Sequence, residues 1–326
     1  MSRVNSSISY LIRKIPESAD SRRAAPGGFA LYIILFLIGI AIIGPFIYQH
    51  IGGTYNSVLY GPIGPDQYHT FGHVEADRQN ELPSAQYWLG TDSLGRDLLA
   101  RLMQGLLVSM SVAVLVEIVD IVLGVSIGVL AGYYSGWIDQ FLARFTDIMF
   151  AFPGALFLVL ISGILGPWAD RTLNKLPLIG ANGSARLFLV SLALAFTIWP
   201  LMARYVRGQT LQLKQQQYIE AARTLGSSDR LIILRHIIPN LFSIVIIAAT
   251  LNISNTIVAE AGISFLGLGV QPPGASLGLM ISDGAQYVRT NPWLPLLPCV
   301  VLTIIVICFS FIGDRLREAF DPRRKE

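Results

Sequence analysis

The chain has 326 residues, 53% of them hydrophobic and only 14% charged, with a mean hydropathy of +0.56. Ordinary soluble domains carry about 25% charged residues, so this is the composition of an integral membrane protein, with no room for a large soluble domain beside several spans of roughly 20 residues. A formal net charge of +3 is too small to indicate a nucleic-acid partner, and the distribution of charge matters more than its sum.

Six apolar runs approach spanning length: 28–48, 106–133, 148–165, 187–202, 241–265 and 293–312. They predict an all-α, polytopic membrane protein with six transmembrane helices. Residues 1–27 form a basic N-terminal segment. The first run, 28–48, is too long for the apolar core of a secretory signal and lacks an A-x-A-like exit, so it reads as a retained helix.

Residues 49–105 then form the first long connection. Within it "YHTFGHVEAD" places His69 and His73 four apart, a spacing that suits a shared metal ion, but the stretch reads as polar outer surface. In "LGTDSLGRD" the glycines and Asp92 suit a turn capping an amphipathic segment on the outer face, and Arg96 and Asp97 can pair with neighbours. Residues 52–86 carry no pattern that assigns a role.

Four acidic residues lie in or beside the spans of the 106–313 core: Glu117, Asp120, Asp147 and Glu260. Ionisable groups at membrane depth are costly and face a cavity or a partner. Glu117 and Asp120, three apart, share a helix face. Two readings stand side by side: an acidic wall along a translocation pathway, or pairing between helices with Arg144, Asn252 or Asn255.

The loop 206–240 between the fourth and fifth spans holds "EAARTLGSSDRLIILRHIIPN". Good helix formers run from Tyr218 to Leu225, and Gly226 is suited to the left-handed residue that closes a helix. Ser227 and Ser228 can then cap a second helix running from Asp229, an acid well placed at a helix N-terminus, which Pro239 is expected to break before the membrane. Two helices meeting at a glycine corner make an elbow. Beyond the fifth span, "FLGLGVQPPGASLGLMISDGAQY" holds too much Gly and Pro for one straight helix and predicts an external excursion toward the pore mouth. Cys299 and Cys308, nine apart in one apolar run, fall on opposite sides of a helix, as small apolar fillers. A short basic tail, 314–326, follows.

Basic residues set the orientation, since Lys and Arg collect on the cytoplasmic side. With the N-terminus inside, the inner segments hold 5 + 1 + 6 + 5 = 17 of them and the outer ones hold 7. Both termini are then cytoplasmic, and so is the elbow. The four lysines, Lys14, Lys175, Lys214 and Lys325, follow Arg, Asn, Leu and Arg, so none lies in a P-loop. H-E-x-x-H, G-x-S-x-G and any Cys/His cluster are also absent from the sequence, and no catalytic residue, metal ligand or bound cofactor is expected.

The pattern Glu220, Ala221, Ala222, then Gly226, then Pro239 resembles the "EAA" loop of the membrane-spanning subunits of bacterial ATP-binding-cassette (ABC) importers. "RHIIPN" is similar to the peptide/nickel branch, while "LGTDSLGRDLLARL", "DIMFAFP" and "AEAGISFLGLGVQPPGASLG" resemble blocks of its C-type dipeptide and oligopeptide permeases. The resemblance implies the ABC type I importer permease fold in the bacterial inner membrane. It implies as partners a B-type permease as the other half of a heterodimer, two ATPase subunits holding ATP and Mg, and a solute-binding protein outside. The elbow would then dock on an ATPase subunit, through Glu220, Ala221, Ala222, Gly226 and Pro239. A secondary transporter using the intramembrane carboxylates, or a membrane-embedded enzyme, are the alternatives; the first predicts internal repeats and the second a catalytic constellation.

Overall fold

The computed structural model of the protein describes residues 25–173 and 184–320. The basic residues of the first 24 positions and of the last six therefore lie outside the described residues. In chain order the elements are α1 (Ala25–Tyr48), a hairpin of β1 (Tyr55–Ser57) and β2 (Gly61–Ile63), α2 (Pro65–Tyr68), a 3-10 turn Ala76–Arg78, α3 (Leu98–Tyr133), α4 (Trp137–Ala151), α5 (Gly154–Thr172), α6 (Ser184–Lys214), α7 (Gln217–Thr224) and α8 (Asp229–Ile232). A π-helical turn, Ile233–Ile237, leads into α9 (Ile238–Phe265), followed by α10 (Leu277–Ala285) and α11 (Trp293–Phe320).

Among the described residues six stretches are long and apolar enough to cross a membrane: Gly27–Tyr48, Leu98–Tyr133, Gly154–Thr172, Ala185–Lys214, Asp229–Phe265 and Trp293–Phe320. They match the six apolar runs in number and order, while several boundaries differ, two of them at prolines. The third run does not continue through 148–165, because Phe152 is extended and Pro153 starts a new helix, so the amphipathic α4 ends and α5 begins. Pro239 does not break the fifth. It sits in the first turn of α9, where a missing N–H costs nothing, and the π-helical turn before it carries the chain on from α8 without interruption.

The most extensive helix pairing joins α3 to α6. Gly124, Gly128 and Gly132 form a stripe on α3, and a Cβ added at each would fall within 2.6 Å of Met202, Ala203 O or Thr210 respectively. The contacts advance in step along both chains, so α3 and α6 run parallel, with α4 and α5 as the return path. α9 packs on both α3 and α11, and α1 lies against α3 and α11 with much of its apolar surface exposed.

Between α1 and α3 the chain builds a small outer unit. The hairpin pairs Tyr55 with Ile63, and Tyr55, Tyr68 and Tyr87 pack with Ile63 as its core. His69 is not surface, as its sequence context predicts. It is buried, with Nδ1 2.6 Å from Asp97 Oδ2 and Nε2 3.0 Å from the Ile51 carbonyl, while Asp97 caps α3 through the Leu99 and Ala100 amides. One side chain thus ties the outer unit to the start of a span. Burial pushes the buried Glu75 carboxyl up, but hydrogen bonds from Ser57, His73 and Tyr55 outweigh it and hold it below the usual carboxylate range. Burial and the neighbouring Glu75 push the Tyr55 phenol up to about 12.

A depressed carboxyl contributes stability above its unfolded pKa and loses it as pH falls through the folded value, which here lies below the usual carboxylate range. Proteolysis of residues 55–78 is therefore expected to quicken below that pH, and Glu75→Gln to quicken it at neutral pH. Equal cleavage of both proteins at pH 7 would show that Glu75 does not hold the unit.

Candidate functional site

The elbow is built by a complete helix-ending motif. Gly226 adopts φ +81, its amide donates to Arg223 O at 2.9 Å, and the Ser227 amide donates to Ala222 O at 3.0 Å. These are the paired 5→2 and 6→1 bonds of a glycine-closed helix C-terminus. Space is not what restricts Gly226, since an added Cβ would meet nothing within 4 Å. The backbone angle restricts it, disfavouring an L side chain by roughly 1–2 kcal/mol. Ser228 then occupies the N-cap position of α8 without a side-chain cap bond, and Asp229 starts the helix, as the sequence predicts.

The underside of the elbow belongs to this chain's own core. Ile219, Ile232, Ile233 and Ile237 are buried with Val129, Tyr133 and Val206, the cytoplasmic-end residues of α3 and α6 in the predicted orientation. Tyr133 Oη donates to Asp229 Oδ1 at 2.6 Å, and Arg223 lies over the Tyr133 ring at 5.0 Å. Lys214 Nζ bonds the Tyr133 carbonyl at 2.6 Å. The elbow is thereby stapled to the end of α3.

Among the described residues its outer face meets no such partner surface. Glu220 and Ala221 are exposed, Leu225 is 86% exposed, and Leu231 and Leu234 stand out beside them. Ala222 differs from the sequence expectation, because it turns partly inward against the buried isoleucines. Pro239 is exposed at the start of α9. Of the loop residues singled out by sequence, Glu220, Ala221 and Gly226 thus share the outer side of the corner.

The four acidic residues separate into different environments. Asp147 is half-exposed on α4 and accepts from Arg204 Nη2 at 2.7 Å, a tie between the α4 and α6 helices. Glu260 is buried on α9 and accepts from Ser109 Oγ and Ser264 Oγ, each at 2.7 Å, so it bonds α9 to α3. Asp120 accepts from Asn252 Nδ2 at 3.2 Å, the interhelical pairing that the sequence offers as one of its two readings. Glu117, one turn away, is buried with no hydrogen-bond donor at either carboxyl oxygen.

A further cluster is foreseen only in part, in the pairing of Arg96 with a neighbour. At the other end of α3 from the elbow, Asp283 on α10 accepts from Arg96 Nη2 at 3.1 Å and Arg101 Nη2 at 3.0 Å, while Asp92 accepts from Arg96 Nε at 2.7 Å. The two predicted outer blocks are joined by these ion pairs. No signal in the sequence pairs residues so far apart. Among the described residues no group of three or more His, Cys, Asp or Glu is arranged to hold a metal.

Comparison with known proteins follows this geometry. The family model described as "Binding-protein-dependent transport system inner membrane component" matches residues 124–326. The oligopeptide transport system permease protein OppC of Mycobacterium tuberculosis (strain ATCC 25618 / H37Rv) is 35% identical over 240 residues, covering 74% of this chain and 77% of the relative. The glutathione transport system permease protein GsiD of Salmonella paratyphi A (strain ATCC 9150 / SARB42) is 40% identical over 253 residues, covering 78% of each. A solved structure of the MetNI methionine ABC transporter in an inward-facing conformation aligns with a TM-score of 0.53 and 21% identity over 68% of this chain and 97% of that one, and shows the ABC transporter permease fold. The chain belongs to the family of binding-protein-dependent transport system inner membrane components and is a multi-pass permease component of an ABC importer, acting with ATPase subunits rather than as an enzyme itself.

Proposed function

We propose that this permease carries peptides, from dipeptides and glutathione-sized molecules to oligopeptides, inward across a bacterial inner membrane as one half of a heterodimer with a B-type permease. Similarity to the oligopeptide and glutathione permeases supports the substrate class. ATP and Mg bind on two partner ATPase subunits, the permease chain holds no cofactor, and a solute-binding protein delivers the peptide from outside. The observation that carries the coupling role is the stapled elbow: its underside is locked to α3 and α6, while Glu220, Ala221 and Leu225 are left outward for a partner. A rigid corner of this kind transmits displacement. The 37-residue stretch Asp229–Phe265 then leads from the elbow through the fifth span, so closure of the ATPases reaches the opposite end of the core.

The asymmetry of 17 basic residues against 7 supports cytoplasmic termini and a cytoplasmic elbow within the 106–313 core. Single cysteines placed at Glu220 and at Ser93 test it with a membrane-impermeant thiol reagent on intact cells. Ser93 is expected to label and Glu220 to label only after permeabilisation. Labelling of both from outside would overturn the topology.

A further inference from the structure

We propose that Glu117, Asp120, Asn252 and Thr256 form an intramembrane site for one small monovalent cation, a proton or an alkali ion. Glu117 is 4% exposed and Asp120 0%, near the middle of the 36-residue α3. Both Glu117 oxygens and Asp120 Oδ1 lack a hydrogen-bond donor. Thr256 on α9, 1% exposed, is likewise unpartnered at Oγ1.

The helix register brings that hydroxyl to the carboxyls. Asn252 on α9 touches Asp120 and Glu260 touches Ser109, so α3 and α9 run antiparallel between two fixed points. Asn252, Thr256 and Glu260 follow at intervals of four, one face of α9, and that face is the one turned to α3. Thr256 therefore stands between the two fixed points, within about one turn of Glu117, on the face of α9 that meets α3.

Among the described residues no cationic side chain is paired with Glu117 or Asp120. Between Arg101 and Tyr133 α3 carries no Lys, Arg or His, nor does any part of α1 or α9, nor α6 between Arg186 and Arg204, nor α11 before Arg315. Of the charged groups on these helices, only Glu260 lies on the same face of α9, and two serines already satisfy it. Water can donate to orphaned oxygens, yet it leaves two like charges a single turn apart in a medium that tolerates neither. A bound positive charge removes the repulsion and supplies the missing partner together. Asn252 and Thr256 complete an oxygen-rich shell of the kind hard cations take. The site compensates charge inside one subunit and leaves the energy source of transport with the ATPases, so it stands whether or not the peptide reading holds.

The test uses the intact transporter complex in lipid nanodiscs, with sodium, potassium or choline chloride at constant ionic strength. If the ligand is an alkali ion, the melting temperature of the wild type rises by several degrees on replacing choline by sodium or potassium. Thr256→Val then shrinks the rise and Glu117→Gln with Asp120→Asn abolishes it. If the ligand is a proton, melting is the same in all three salts, and the infrared spectrum at neutral pH holds a protonated-carboxyl band that Glu117→Gln or Asp120→Asn removes. A wild type with neither salt-dependent melting nor such a band overturns the proposal, and that result needs no variant to fold. An ion effect that persists undiminished in the doubly amidated protein also overturns it.

Discussion

Gly226→Val is expected to leave the permease folded and inserted while cutting ATP-driven uptake roughly tenfold. A Cβ at position 226 meets nothing within 4 Å among the described residues, so the side chain has open space and the loop is not unfolded by crowding. It strains only the left-handed corner, by about 1–2 kcal/mol, and the strain is relieved by opening the paired bonds from Gly226 and Ser227 to the end of α7. At about 1.4 kcal/mol per tenfold, that is enough to displace the docked arrangement by an order of magnitude. The buried isoleucines and the Tyr133–Asp229 bond keep the rest of the loop in place. Ala221→Asp is the companion variant, since Ala221 is exposed and a carboxylate there touches only what docks on it. Ala222→Asp is a poorer choice because Ala222 packs on the core of this chain. The measurements are peptide uptake in cells, ATPase retention on purification and ATP hydrolysis. Wild-type uptake and wild-type ATPase retention in both Gly226→Val and Ala221→Asp would reduce the elbow to a connector.

Much of this was legible in the residues because a bilayer leaves few choices. A spanning helix needs about 20 apolar residues, and six runs of that order appear where six helices stand. Helix ends were less legible, since a helix continues past the apolar run wherever polar groups find partners. α3 starts at Leu98 rather than 106 because Arg101 inside its first turns is met by Asp92 and Asp283. α6 runs on to Lys214 because Arg207 pairs with Asp139 and Lys214 reaches the Tyr133 carbonyl. The elbow was readable from Gly226 alone, as local backbone chemistry decides it. The Arg96–Asp283 and His69–Asp97 ties were not, because they are set by tertiary packing of distant segments. The free carboxyl of Glu117 belongs between these cases: its position and its spacing from Asp120 were visible, and its lack of a hydrogen-bond donor was not.

The glycine stripe of α3 had a sequence signal, three glycines spaced by four in "LGVSIGVLAGY", and it supports the expectation with the largest effect on folding. Small residues at this spacing let helices approach closely in a membrane, where the hydrophobic effect does not drive them together. At Gly128 the facing atom is the Ala203 carbonyl oxygen, 2.6 Å from where a Cβ would stand, and at Gly132 the Arg207 carbonyl lies at 2.8 Å. Backbone cannot rotate aside as a side chain does, so the helices themselves must separate. Gly128→Leu is expected to destabilise the protein by about 3 kcal/mol or more, the upper range for overpacking, and to prevent recovery of folded complex in detergent. Gly208→Ala is the control: it lies on α6 with nothing within 4 Å, and by helix propensity alone it should be neutral or gain up to about 1 kcal/mol. Gly128→Ala should fall between the two, and trimming Val206 to alanine should rescue it only in part, because the carbonyl contact remains. A Gly128→Leu protein that melts with the wild type would mean that α3 and α6 do not pack at this distance, and the parallel pairing at the centre of the fold would have to be redrawn.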